Sequence, residues 1–207
     1  MDELEVSAYT VPTSTPESDG TLEWSETTIV VASVSACGAE GFGYSYADIA
    51  TARVIDDHLK AVVLRKDALQ IPEIWEAMTS RIRNLGQPGI CSMAISAVDN
   101  SLWDLKARLL NTSVADLLGR AHHSIPAYGS GGFTSYSVDE LKHQLSGWAA
   151  EGFRGVKMKI GRDPESDVAR VAAARDAIGT DIDLYVDANG AYSRKQAIEK
   201  AQRFDSK

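Results

Sequence analysis

Beyond Gly119 the sequence alternates between strand-like and helix-like text, and this rhythm restricts the fold more than any other feature. A short strand over residues 125–128 runs into Gly129-Ser130-Gly131-Gly132, and Ser137 with Glu140 forms a capping box for a helix that ends before Gly152. Residues 156–160 read as a second strand, with Asp163-Pro164 as N-cap and first-turn proline of a helix carrying Val168, Val171, Ala172 and Ile178. Residues 184–188 read as a third strand, and Ser193 with Gln196 caps a third helix reaching Phe204. Strands separated by helices pair in parallel through right-handed crossovers. Three such units occupy residues 124–207 at about 28 residues each, so an eight-unit barrel would need about 224, near the roughly 250 typical of that fold.

The first half follows another pattern. Leu22, Trp24, Thr28, Ile29, Val30, Val31 and Val34 make a β-branched and aromatic run that breaks at Gly38, Gly41 and Gly43. A phosphate-cradling reading of those glycines lacks the lysine and hydroxyl of a P-loop, so a strand and its turn is the simpler account. Three amphipathic helices follow. Residues 49–64 place Ile49, Ala52, Ile55, Leu59, Val62 and Val63 on one face, Ile74, Met78, Ile82 and Leu85 repeat at helical spacing, and Ile95, Val98, Leu102, Leu105 and Leu109 do so again. In the last of these Asp99, Asp104 and Lys106 suit a solvated face and Trp103 a packing anchor.

Composition narrows the partners. With 207 residues, 44% hydrophobic and 24% charged, the chain is an ordinary globular protein with a sizeable core. Its net charge of −8 argues against a nucleic-acid partner. The start, Met1-Asp2-Glu3-Leu4-Glu5, is acidic where a secretory signal is basic, and the longest strongly apolar stretch, residues 29–37, is strand-sized. A cytoplasmic protein without a membrane partner is expected. Cys37 and Cys91 read as small buried hydrophobes, and His58, His122, His123 and His143 as surface residues.

Chemistry enters on the second and third strands of the alternating half. Lys157 and Lys159 are two apart and share a face, while Val156, Met158 and Ile160 share the other. In a barrel the apolar set meets the outer helices, which sends both lysines inward at the C-terminal end of the strand, where barrel active sites lie. Two ammonium groups roughly 6 to 7 Å apart repel by about 2.5 kcal/mol at an effective dielectric of about 20, which favours loss of a proton from one of them. Such a lysine can take a proton from a weak carbon acid. On the next strand Tyr185, Asp187 and Asn189 share a face, with Asp187 at the strand end before Gly190. A carboxylate there suits a hard cation such as Mg²⁺, or equally a salt bridge to Lys157 or Lys159. Two exposed lysines on a solvated edge strand would produce the same spacing.

Lys157-Met158-Lys159, followed by Val186-Asp187-Ala188-Asn189-Gly190, resembles the second and third barrel strands of the enolase superfamily, in its mandelate racemase and muconate lactonizing subgroup. Upstream, Ala97-Val98-Asp99, Leu102-Trp103-Asp104-Leu105 and Asp116-Leu117-Leu118-Gly119 are similar to the helix joining that family's capping domain to its barrel, and Gly41-Phe42-Gly43-Tyr44-Ser45-Tyr46 to a capping-domain loop. The resemblance implies an N-terminal α+β capping domain over residues 1–120, then over residues 121–207 the first three βα units of an incomplete TIM-like (β/α)7β barrel. It implies Mg²⁺-dependent abstraction of a proton α to a carboxylate through an enediolate, of the racemase, cycloisomerase or acid-sugar dehydratase type. Lys159 would be the base, Lys157 would aid it and contact the substrate carboxylate, Asp187 would be a metal ligand, and Asn189 a polar contact to a small carboxylate substrate. Asn189 reads equally as a turn former before Gly190. Capping-domain loops around residues 14–20 and 41–48 would approach substrate.

The family's further metal carboxylates and its opposite-face acid or base would come from later strands, so the 207 residues are expected to be a portion of a longer enzyme, homo-oligomeric when complete. A Schiff-base lysine aldolase is the alternative chemistry for a lysine so placed, and a catalytically silent barrel fragment or binding module the alternative without chemistry.

Overall fold

The computed structural model describes residues 1–204, and its backbone contacts divide the chain into two units. One comprises Met1–Pro12 with Glu26–His123, the other Thr13–Ser25 with the residues from Ser124 onward. No helix among the described residues is long and apolar enough to cross a membrane.

The first unit is built on a three-stranded sheet in the order β1 (Glu3–Ser18), β2 (Glu23–Ala36), β3 (Ala39–Tyr46), with β2 and β3 antiparallel. The period of two is visible in β2, where Val30, Ala32, Val34 and Ala36 are buried and their neighbours are not. Against that face lies the long helix α4 (Ile90–Leu109), which buries Ala94, Ala97, Val98, Ser101, Leu102 and Leu105. Its forerunners are α1 (Ala50–Val54), a π-helical turn (Ile55–Leu59), α2 (Lys60–Val63) and α3 (Ile71–Arg81), and a short α5 (Val114–Leu117) follows. Ile55, Leu59, Val63, Ile74, Met78 and Ile82 join this core, as their spacing predicts, and Ile71 joins it as well. Ile49 and Leu85, expected on the same faces, lie at or beyond the helix ends and are exposed.

Gly41 and Gly43 do not break a strand, contrary to the sequence reading. Both lie inside β3, and residues 41–46 form strand rather than loop. They are small because α4 passes against them: a methyl group on Gly41 would lie 2.3 Å from Leu105 N, and one on Gly43 2.1 Å from Ala97 O. The turn falls instead at Cys37 and Gly38, both with positive φ, and Cys37 is exposed rather than buried. Cys91 is buried as expected.

The second unit holds a parallel sheet in the order β4 (Gly129–Ser130), β5 (Gly155–Lys159), β6 (Asp183–Asp187). Helices α6 (Val138–Ala150), α7 (Asp167–Ile178) and α8 (Arg194–Phe204) alternate with the strands. Val156, Met158 and Ile160 are buried with Leu141, Leu145, Val171, Ala174 and Ile178 in a second core. Both capping boxes form: Ser137 Oγ accepts from Glu140 N while Glu140 accepts from Ser137 N, and Ser193 pairs with Gln196 in the same way.

Three local readings change. The first strand occupies Gly129–Ser130, not residues 125–128, because its partners on β5 begin at Val156, and Ile125 is 87% exposed. Asp163-Pro164 forms a turn in which Ser166 N and Oγ donate to Asp163 O, and α7 begins only at Asp167. Residues 14–18 continue β1 rather than forming a loop, leaving a tight turn at Asp19 and Gly20.

Candidate active site

Strand β5 sends its apolar side chains into the helix-covered core, so Lys157 and Lys159 emerge on the other face. Their side chains keep 21% and 14% of their surface, partly covered but reachable by water. In the parallel ladder Lys159 is the register partner of Asp187 and Lys157 that of Tyr185. All four therefore share one face.

The carboxylate of Asp187 lies against both amines, with Oδ2 2.7 Å from Lys159 Nζ and 3.6 Å from Lys157 Nζ. The paired lysines are thus not left to repel each other alone, since one acidic group is set against both charges. The Lys159 hydrogen bond holds the Asp187 carboxyl below the usual carboxylate range. The Asn189 N–H and the charges of Lys159 and Lys157 act in the same direction and outweigh burial, which acts in the other.

Asn189 joins this group twice. Its backbone N–H donates to Asp187 Oδ1 at 3.0 Å, and its side-chain Oδ1 accepts from Lys159 Nζ at 2.9 Å. Its φ of 48° is left-handed, a conformation asparagine tolerates, so it turns the chain while its amide oxygen faces the Lys159 amine. Deeper on the same face, Lys157 Nζ lies 5.7 Å from the centre of the Tyr128 ring, which meets Tyr185 edge-on.

Asp19 was not singled out in the sequence. In the tight turn after β1 its Oδ1 accepts from Thr21 N, Thr21 Oγ1 and Leu22 N. Burial raises its carboxyl, but those hydrogen bonds and the Lys159 charge prevail and leave it below the ordinary range. Gly20 presses on the C-terminal ends of β5 and β6, where a methyl group would lie 2.7 Å from Ile160 O and 2.4 Å from Ala188 O. The Asp19-Gly20 dipeptide is a turn signal that would have located this element.

Mg²⁺ prefers oxygen donors and often takes only one or two carboxylates from a protein. Asp187, with 33% of its side chain exposed at a strand end, fits one such position. Among the described residues no group of three or more His, Cys, Asp and Glu side chains is placed to hold a metal ion. The fit is therefore to a single ligand.

Residues 4–119 match the mandelate racemase / muconate lactonizing enzyme N-terminal domain, and residues 140–207 match the enolase C-terminal domain-like family. The chain belongs to the mandelate racemase / muconate lactonizing enzyme family of the enolase superfamily. Within this family, it is 39% identical to a 3,6-anhydro-alpha-L-galactonate cycloisomerase of Streptomyces coelicolor, over 80% of this chain and 47% of that protein. It is 30% identical to the L-talarate/galactarate dehydratase of Salmonella typhimurium, over 98% of this chain and 54% of that one. Among solved structures, a mandelate racemase/muconate lactonizing enzyme-like protein from Rubrobacter xylanophilus superposes with a TM-score of 0.97 at 54% identity, covering 99% of this chain and 57% of that one. A racemase from Streptomyces coelicolor with bound magnesium superposes with a TM-score of 0.94 at 34% identity, covering 99% and 59%. The chain spans about half the length of the curated relatives it matches. The enolase-superfamily fold expected from the sequence, a capping domain followed by the opening strands of a barrel, is therefore the fold observed.

Proposed function

We propose that this chain carries the base-bearing half of an enzyme that removes a proton α to the carboxylate of a sugar acid. The observation that carries this reading is the convergence of Lys159 Nζ on Asp187 Oδ2 and Asn189 Oδ1, at 2.7 and 2.9 Å, at the C-terminal ends of parallel strands. Residues 1–120 act as the capping domain and 121–207 as the opening of the barrel.

Lys159 is the base. To accept a proton its amine must be neutral, and it stands at the strand end where a substrate carbon acid can approach. Lys157, turned to the same face, is placed to meet the substrate carboxylate, and its contact with the Tyr128 ring limits its swing. Asn189 Oδ1 orients the Lys159 amine and leaves the amide NH₂ for a substrate hydroxyl. Asp187 would be one ligand for Mg²⁺, which when bound would supply positive charge to offset the negative charge that develops on the substrate. The relatives' names, a galactonate cycloisomerase and a talarate/galactarate dehydratase, support polyhydroxy carboxylates as the substrate class.

The test, run on a protein that joins this chain to the later barrel strands its relatives have, is exchange of the α-proton for solvent deuterium, followed by NMR, across a panel of aldonates and aldarates with MgCl₂. Exchange that EDTA suppresses and that Lys159→Met lowers by at least about 10²-fold is expected, the scale of a lost general base. Exchange unaffected by Lys159→Met would contradict the base assignment. A lysine adduct trapped by borohydride would favour the aldolase, and no exchange with any acid would favour a binding module.

A further inference from the structure

Asp167 is a buried carboxyl group that the proposed chemistry does not use. It begins α7, is 1% exposed, and its Oδ2 receives donors from two different segments. Gly161 N–H, two residues beyond Lys159, donates at 3.0 Å, and the phenol of Tyr192, five residues beyond Asp187, donates to the same oxygen. One turn further along α7, Arg170 donates to the carbonyls of Tyr136 and Phe133, at 2.8 and 3.0 Å, in the segment that follows β4. The first turn of this helix thus fastens all three segments that leave the C-terminal ends of the parallel strands. Helix packing does not require this, because Val171, Ala174 and Ile178 supply the apolar contact.

The turn between Asp187 and Tyr192 shows what the fastening holds. Past the ladder the chain reverses through Asn189 and Gly190, both with positive φ, and Ala191 N closes on Ala188 O at 2.9 Å. The next side-chain tie is the phenol of Tyr192. Burial, and then the hydrogen bond to Asp167, push that phenol well above its ordinary value, so it remains a donor. Asn189 Oδ1 rides on this turn, and its partner is Lys159 Nζ.

We propose that Asp167 and Tyr192 are positioning residues that hold the turn after β6, and with it Asn189 Oδ1, against the Lys159 amine. Their value to the reaction rests on the reading of Lys159 as the base; the geometric coupling does not. The coupling is read by acylating the purified chain with acetic anhydride near neutral pH and measuring modification of Lys159 relative to Lys157 by mass spectrometry. Lys157 is the internal reference because it shares Asp187 with Lys159 while, among the described residues, the hydrogen bond to Asn189 Oδ1 comes from Lys159. In Tyr192→Phe the Lys159-to-Lys157 ratio rises about threefold or more, the scale of releasing the amine from its hydrogen bond to Asn189 Oδ1. An unchanged ratio overturns the proposal. So does an equal rise at all lysines, which would mark a purely structural role. Should Tyr192→Phe not fold, Asp167→Asn keeps the shape and weakens both hydrogen bonds; it raises the ratio about twofold, and no rise again overturns the proposal. Failure here leaves the deuterium-exchange result intact, because labelling reports the surroundings of Nζ whatever chemistry that amine performs.

Discussion

Lys159 Nζ lies 2.7 Å from Asp187 Oδ2, and the two residues are partners in the ladder between β5 and β6. Amine and carboxylate are therefore brought together by backbone pairing in the sheet, before any loop contributes.

This pairing makes stability depend on acid. The native Asp187 carboxyl is lowered mainly by the Lys159 hydrogen bond, so it stabilises the fold above the unfolded value of about 3.9 and loses that contribution as pH falls through the native value. With a third of the side chain exposed, screening limits the pair to about 1 kcal/mol or less. Asp187→Asn is expected to lower urea stability by no more than that at pH 7, with the difference fading as the native carboxyl protonates. A difference of equal size throughout the acid range would contradict this.

The two faces of β5 have very different costs. Met158 is fully buried among α6 and α7 side chains, and Met158→Ala is expected to cost about 2–5 kcal/mol in urea unfolding. Lys157→Ala, on the opposite face, is expected to cost less than about 1 kcal/mol. Equal costs would mean that the strand is not oriented as described.

Gly43 sits where α4 meets β3, and a methyl group there would lie 2.1 Å from Ala97 O and 2.4 Å from Ser101 N. Both are backbone atoms and cannot swing aside. Gly43→Ala is expected to destabilise by about 1–3 kcal/mol or more, read as a lowered thermal midpoint.

Ser137→Ala removes the hydroxyl that accepts from Glu140 N at the start of α6. A loss of about 1 kcal/mol is expected, with faster amide exchange confined to the first turn of α6. Unchanged exchange there would show that the capping box contributes nothing.

The alternation of strand and helix beyond Gly119, both capping boxes and the two faces of β5 were legible in the sequence, because each depends on residues close together in the chain. Gly41 and Gly43 misled because their reason is a helix about sixty residues away, and glycine in a strand reads locally as a break. Asp163-Pro164 has the chemistry of a helix start but serves a turn, while the true start carries a buried aspartate whose partners, Gly161 and Tyr192, come from separate segments. At the candidate site the lysines and Asp187 could be aligned by counting in twos. Asp19 could not, because nothing in the period of β5 or β6 points to a turn that precedes them by well over a hundred residues.

The alternation on β5 has one more consequence. A slip of β6 by a single position would set an aliphatic residue opposite Lys159 and rotate Asp187 towards the oily layer beneath the helices. A misthreaded sheet of this kind would lose cohesion as well, so the correctly threaded polypeptide is also the one that lines up Lys157, Lys159 and Asp187.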